Sequence, residues 1–145
     1  MKIRKANKKD FPSVARIFKE EFSVPPYKDK WTNKTALYCI NHYQKIKSNI
    51  YVCVLGKQII GFLISREEPQ DRGILVVIEY FAVKKDMKKK GVGTLLLKKL
   101  EEDSKKKKAK AIYFNVVKTS LATKFYKKRG YTPSKRIISL GKDLK

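Results

Sequence analysis

One stretch, Val76 to Glu102, sets the terms for the rest of the chain. Val76-Val-Ile-Glu-Tyr-Phe-Ala-Val83 is apolar and rich in β-branched and aromatic residues, which suit a packed, pleated surface. Lys84-Lys-Asp-Met-Lys-Lys-Lys-Gly-Val-Gly93 then forms a basic, glycine-containing connection. After it, Leu95, Leu96 and Leu100 recur at helical spacing, with Lys98 and Lys99 turned outward. A buried strand, a glycine turn and a helix start are therefore predicted in immediate succession. Gly91 and Gly93 let the backbone approach a ligand without a Cβ in the way. The first N–H groups of a helix have no intrahelical partner, so the arrangement makes an anion site. Lys88, Lys89 and Lys90 add cations to it. By spacing alone, phosphate binding and a plain strand-to-helix turn fit equally well. Neither Gly-x-x-x-x-Gly-Lys-Ser/Thr nor a complete Gly-x-Gly-x-x-Gly is present.

The 145 residues suit one domain, residues 1–145, with one core. Hydrophobic residues make up 42%, too many for a disordered basic tail. No apolar run approaches the roughly 18 residues of a membrane helix, and Met1-Lys-Ile-Arg-Lys lacks the apolar core of a signal peptide. A cytoplasmic location with no membrane partner is the expectation. Cys39 and Cys53 lack metal-ligand spacing and read as core residues. His42, the only histidine, sits among polar neighbours, so no metal site is expected. The formal charge is +23, which favours anionic partners. The lysines run through the whole chain instead of forming a patch, so a solvated lysine-rich surface is favoured over a nucleic-acid footprint.

In chain order, Lys2 to Ala6 alternates like a first strand. Asp10 is a candidate N-cap with Pro12 in the first turn, and Phe11, Val14, Ile17, Phe18 and Phe22 mark a helix ending near Ser23. Val24-Pro-Pro-Tyr27 cannot continue it, so Phe22 to Trp31 reads as an ordered aromatic loop. This loop is either a hydrophobic corner or a wall of a substrate groove. Asn33 to Lys47 reads as a second helix. Ile50 to Leu55 and Gln58 to Ser65 read as a hairpin around Gly56-Lys57. Glu67 to Gly73 reads as an exposed loop, and Ile74 to Val83 as the central strand. Ala111 to Val117 is a further strand, Leu121 to Arg129 a short helix stopped by Gly130, and Ile137 to Leu140 a last strand. The order βααβββαβαβ indicates an α/β (α+β) class, a mixed central sheet flanked by helices.

These motifs resemble the GNAT superfamily of N-acetyltransferases, and the resemblance covers nearly the whole chain. Glu79-Tyr-Phe-Ala-Val83 followed by Lys88-Lys-Lys-Gly-Val-Gly93 is similar to the family's strand ending in Ala-Val and its Arg/Gln-x-x-Gly-x-Gly/Ala turn. Ala122-Thr-Lys-Phe-Tyr-Lys-Lys-Arg-Gly-Tyr131 is similar to the downstream Ala-x-x-Phe/Leu-Tyr-x-x-x-Gly-Phe/Tyr. The resemblance implies acetyl-coenzyme A as cofactor. Its pyrophosphate would lie on Lys88, Lys89, Lys90, Gly91, Val92, Gly93 and Thr94, its pantetheine beside Phe81, Ala82 and Val83. A bulge in the central strand would open the slot, leaving backbone groups to pair with the pantetheine amides. Lys88 departs from the usual arginine or glutamine, giving a point charge without a fork. Thr119 stands where many members have asparagine, seven residues before Tyr126.

Acetyl transfer needs a neutral amine, hence a proton acceptor, and a proton for the departing thiolate. Tyr126 occupies the family's general-acid position and also reads as a core tyrosine. Glu79 is the base candidate and also reads as one half of an ion pair; Asn115 is a candidate for positioning water or substrate. Phe22-Ser-Val-Pro-Pro-Tyr27 is similar to the aromatic-proline loop of protein N-terminal acetyltransferases, with Phe22, Val24, Pro25 and Tyr27 facing the acceptor. The expected function is acetyl transfer to a primary amine, first a protein or peptide N-terminus. A small amine such as an aminoglycoside or polyamine is the alternative within the class. A non-catalytic basic module binding nucleic acid on the same scaffold is the alternative outside it. Both a monomer and a homodimer fit the sequence.

Overall fold

The computed structural model of the chain describes residues 1–144. They fall into two compact units, Met1–Asn115 and the residues from Val116 on. In the first unit the strands are β1 (Lys2–Lys5), β2 (Asn49–Leu55), β3 (Gln58–Gln70), β4 (Gly73–Val83) and β5 (Ala111–Tyr113). The helices are α1 (Phe11–Phe22), α2 (Asn33–Lys45) and α3 (Val92–Lys106). The five strands form one sheet in chain order; β1 to β4 are antiparallel and β5 joins β4 in parallel. Helices cover both faces. Phe62, Ile64, Val52 and Ala82 join Val14, Phe18, Ala36 and Ile40 under α1 and α2. On the other face Gly61 lies under α3, where an added Cβ would stand 3.0 Å from Val92 Cγ1 and 3.2 Å from Leu96 Cδ1. The Tyr51 hydroxyl donates to Asp103 on that face at 2.7 Å. Among the described residues no helix is long and apolar enough to cross a membrane.

Several local expectations are corrected. Asp10 precedes α1 but does not cap it with its side chain. Its carboxylate instead accepts a two-pronged bond from Arg4, at 2.6 and 2.9 Å, and the Asn7 N–H at 2.8 Å. The buried stripe of α3 is Val92, Leu96, Leu97 and Leu100, while Leu95 is exposed. Glu67 to Gly73 is no loop: β3 and β4 stay paired to Gln70 opposite Gly73, around a turn at Asp71-Arg72. The polar side chains there find partners, Glu67 with Lys107 at 2.5 Å and Glu68 with Arg66 at 3.1 Å. β5 stops at Tyr113 instead of Val117.

The second unit holds one helix, α4 (Ala122–Lys127). Gly130 follows at φ +87°, as a left-handed helix stop requires. Tyr131 N–H returns to Tyr126 C=O at 3.2 Å. Ile137 to Leu140 forms no strand; Ile137, Ile138 and Leu140 are exposed. β-branched residues need a partner strand and a packed face to hold an extended conformation. Here the Ser134 hydroxyl accepts the N–H groups of Arg136 and Ile137 at 3.2 and 3.1 Å, a local turn that competes with extension.

Candidate active site

The register of β4 explains the site. Opposite Ile64 and Ser65, which are neighbours on β3, stand Tyr80 and Ile78. Glu79 is therefore the extra residue of a bulge. Two adjacent side chains, Glu79 and Tyr80, consequently turn to the α2 face: Tyr43 of α2 donates to Glu79 Oε2 at 3.4 Å, and its ring lies 6.0 Å from that of Tyr80. The parallel pairing with β5 runs from Leu75–Ala111 to Val77–Tyr113 and goes no further. Beyond the bulge, residues 79–83 of β4 have β3 on one side and no β5 partner on the other. Phe81, Ala82 and Val83 thus lie past the end of the β4–β5 ladder, on the way into the glycine-containing connection.

In that turn Lys88 is extended, Lys89 is left-handed at φ +62° and Gly91 is left-handed at φ +85°. Turns containing left-handed residues can form a concavity of N–H groups that takes an anion. Gly91 is the N-cap of α3 and offers no capping side chain. The first intrahelical bond of the helix is Leu95 N–H to Gly91 C=O at 3.0 Å. The backbone of Val92, Gly93 and Thr94 forms the first turn of a 15-residue helix, the electropositive end of its dipole. Lys89 and Lys90 are exposed beside it. Lys88 belongs to the same turn, and its Nζ lies 2.5 Å from Glu21 Oε1. A strand that runs past the end of its β5 pairing and a lysine-flanked helix start without a capping side chain fit the amide-bearing arm and the diphosphate of coenzyme A.

Glu79 is tightly held. Arg66 Nε donates to its Oε1 at 2.5 Å, and the other arm of Arg66 reaches Glu68 at 3.1 Å. Oε2 accepts only the long Tyr43 bond among the described residues, so that oxygen keeps acceptor capacity. The bond to Glu79 raises the Arg66 pKa. Burial, reinforced by the Glu79 charge, pushes the Tyr43 phenol far above the usual tyrosine range. Burial likewise pushes Tyr80 up to about 12. Both phenols are neutral hydrogen-bond donors at physiological pH. The sequence reading missed Arg66, Tyr43 and Tyr80. Arg66 opens the charged stretch that follows the apolar run of β3, so its sequence position gave no distinct signal.

The loop after α1 is ordered, closed by Asp29 N–H to Phe22 C=O at 2.9 Å and Tyr27 N–H to Val24 C=O at 3.1 Å. The Phe22 ring stands 5.1 Å from Tyr27 and 5.7 Å from Tyr80. Val24 and Pro25 are exposed on its outer side. This loop, the bulge and Tyr43 share one face of the sheet. Asn115 is exposed at the end of the first unit. In the second unit Thr119 is exposed, and Tyr126 is the buried residue of α4, its ring 5.7 Å from that of Tyr131.

The sequence matches the acetyltransferase (GNAT) family over residues 11–131. An uncharacterized N-acetyltransferase of Methanocaldococcus jannaschii is 27% identical over 93% of this chain and 80% of its own length. Among solved structures, a possible acetyltransferase from Clostridium difficile superposes with a TM-score of 0.86 at 14% identity, covering 99% of this chain and 98% of the other. A ribosomal-protein-alanine N-acetyltransferase from Brucella melitensis does so at 0.81 and 12%, covering 99% of each chain. An aminoglycoside acetyltransferase from an uncultured soil sample does so at 0.77 and 20%, covering 99% and 96%. The structural likenesses establish the shared fold, and the family match spans most of the sequence. The chain therefore belongs to the GNAT family of acetyltransferases, acyl-transferring enzymes that generally use acetyl-coenzyme A.

Proposed function

We propose that this acetyltransferase moves an acetyl group from acetyl-coenzyme A to a protein or peptide N-terminal α-amine by direct attack. The observation that carries the reading is the bulge at Glu79. The β4–β5 pairing stops at Val77, just before it, and the strand continues past the end of β5 towards the start of α3, which has no capping side chain. The turn from Lys88 to Thr94 would hold the diphosphate through backbone N–H groups and the ammoniums of Lys89 and Lys90. Phe81, Ala82 and Val83 would hold the pantetheine arm by strand-like pairing, with Thr119 contributing beyond it. When bound, the cofactor supplies an activated thioester acetyl group. A backbone N–H at the bulge is the donor for charge developing on the acyl oxygen.

Glu79 Oε2 takes the amine proton, directly or through water, while Arg66 fixes Oε1 and hence the carboxylate's orientation. Asn115 positions that water or the acceptor. Tyr126 holds the proton that a leaving thiolate needs, a role that a tyrosine hydroxyl can fill as general acid. Phe22, Val24, Pro25 and Tyr27 receive the first residue of the peptide. An α-amine, with a reference pKa near 8, surrenders its proton more readily than a lysine. The +23 charge disfavours polycationic acceptors in general.

Calorimetric titration of acetyl-coenzyme A into wild type and a Lys89→Ala/Lys90→Ala variant tests the cofactor half. Micromolar binding by the wild type, weakened about tenfold or more in the variant, is expected. The acceptor half is tested with peptides bearing free or pre-acetylated N-termini, an aminoglycoside and spermidine. Turnover confined to free N-termini supports the α-amine. Turnover of the aminoglycoside or spermidine alone replaces it with the small-amine reading.

A further inference from the structure

We infer that Lys88, the first cation of the glycine turn, is a tether to α1 and not a phosphate donor. The inference rests on the cofactor reading of that turn and assigns its parts. Glu21 lies in the last turn of α1 with its side chain only 10% exposed. Among the described residues, Lys88 is the one cation within ion-pair distance of it, at 2.5 Å. A carboxylate so deeply buried is stable only while its counter-ion remains, because removing one partner strands a desolvated charge. A diphosphate that drew Lys88 away would leave Glu21 in that state. With Lys88 retained, the two charges cancel at the edge of the turn. The anion then answers to the backbone N–H groups and to Lys89 and Lys90, which have no ion pair among the described residues.

The pair also fixes the turn in place. Lys88 immediately precedes left-handed Lys89, so anchoring its side chain on α1 restrains the turn where its left-handed residues begin. Glu21 immediately precedes Phe22, the first residue of the aromatic loop. Glu21 is thus a positioning residue that joins the expected acceptor wall to the cofactor turn.

The test is a double-variant cycle, Glu21→Gln, Lys88→Gln and both together, read by thermal melting and by calorimetric titration of coenzyme A. Lys88→Gln alone is expected to lower the melting temperature by about 3–6 °C and to weaken coenzyme A binding. Adding Glu21→Gln, which replaces the stranded carboxylate by a neutral amide able to hydrogen-bond the amide that replaces Lys88, should restore most of both, to within about threefold of wild-type affinity. Glu21→Gln alone keeps an amide oxygen that accepts from Lys88, so it should leave affinity within the same range. If Lys88 binds phosphate, Glu21→Gln alone frees it and tightens binding, and the double variant stays as weak as Lys88→Gln; either result overturns the tether. If the wild type binds no coenzyme A, the cofactor reading fails by itself. The melting data then decide the tether alone, and equal losses in Lys88→Gln and the double variant overturn it.

Discussion

Glu79 faces two demands that only its two oxygens can separate. Oε1 is occupied by Arg66 at 2.5 Å, and Oε2 accepts only the 3.4 Å Tyr43 bond. A group serving as proton acceptor should lose rate, not binding, when its basicity is removed. Glu79→Gln is expected to lower kcat by about 10²-fold with coenzyme A affinity within about threefold, as steady-state rates and calorimetry would show. An equal loss in Arg66→Ala, with Arg66→Lys recovering only part, would follow from a side chain that orients Glu79 through its fork. Of the two readings the sequence left open, the ion pair is present at Oε1, and the proposed base role rests on the acceptor capacity of Oε2. Glu79 itself was legible as a lone carboxylate in an apolar run. Arg66 was not, because a cross-strand neighbour depends on register, and the bulge shifts register by one residue. Asp10 shows the same limit. Its place before α1 was legible, but Arg4 and Asn7 N–H claim its carboxylate and hold its pKa below the usual carboxylate range. A depressed folded pKa gives stability that is present above the unfolded value near 3.9 and lost as pH falls through the folded value. Asp10→Asn should cost about 1.5–3 kcal/mol at pH 7 and flatten the fall of the urea midpoint between pH 4 and 2.

At the scale of elements, the position of α3 decides how the glycine turn meets the end of β4. Gly61 sets that position. A Cβ there would meet Val92 Cγ1 at 3.0 Å and the Ala82 carbonyl oxygen at 3.2 Å. The valine is the first residue of α3 and the carbonyl belongs to the strand that would hold pantetheine. Gly61→Ala must push one or both aside. A stability loss of about 1–3 kcal/mol is expected from overpacking, together with weaker coenzyme A binding; urea unfolding and calorimetry check the two separately. Unchanged affinity would mean that α3 tolerates the shift without disturbing its N-terminal turn. The strand-turn-helix unit itself was legible because its signals are local: an apolar run, two glycines and a 3.6-residue stripe. The ends of the sheet were less so. The segment from Glu67 to Gly73 is polar in sequence, yet it extends β3 because Leu75 and Val76 opposite it supply the ladder. Ile137 to Leu140 has strand-forming residues but no ladder to join. In both places the partner, not the segment, decides.

For the whole molecule the dominant fact is charge. Thirty-six lysines and arginines face thirteen acids, so most cations have no acid to pair with even if every carboxylate were used. The acids that are best placed, Asp10, Glu21 and Glu79, are each committed to one cation, Arg4, Lys88 and Arg66 respectively. The remainder repel one another over the surface, and this repulsion opposes the compact state. Screening length falls from about 30 Å at 0.01 M salt to about 8 Å at 0.15 M, a change that removes repulsion between neighbouring lysines more than it weakens half-buried pairs. Raising sodium chloride from 0.01 to 0.3 M at pH 7 should therefore raise the melting temperature by about 3–5 °C. The same change should weaken coenzyme A binding, since the diphosphate would lose long-range attraction from the surface while keeping its N–H contacts. A melting temperature that fell with salt would mean that the few ion pairs outweigh the lysine surface. The two responses have opposite signs because one charge excess strains the fold and draws an anion to the start of α3. That is the physical sense in which so basic a surface suits an enzyme of a phosphorylated cofactor without requiring a nucleic-acid partner.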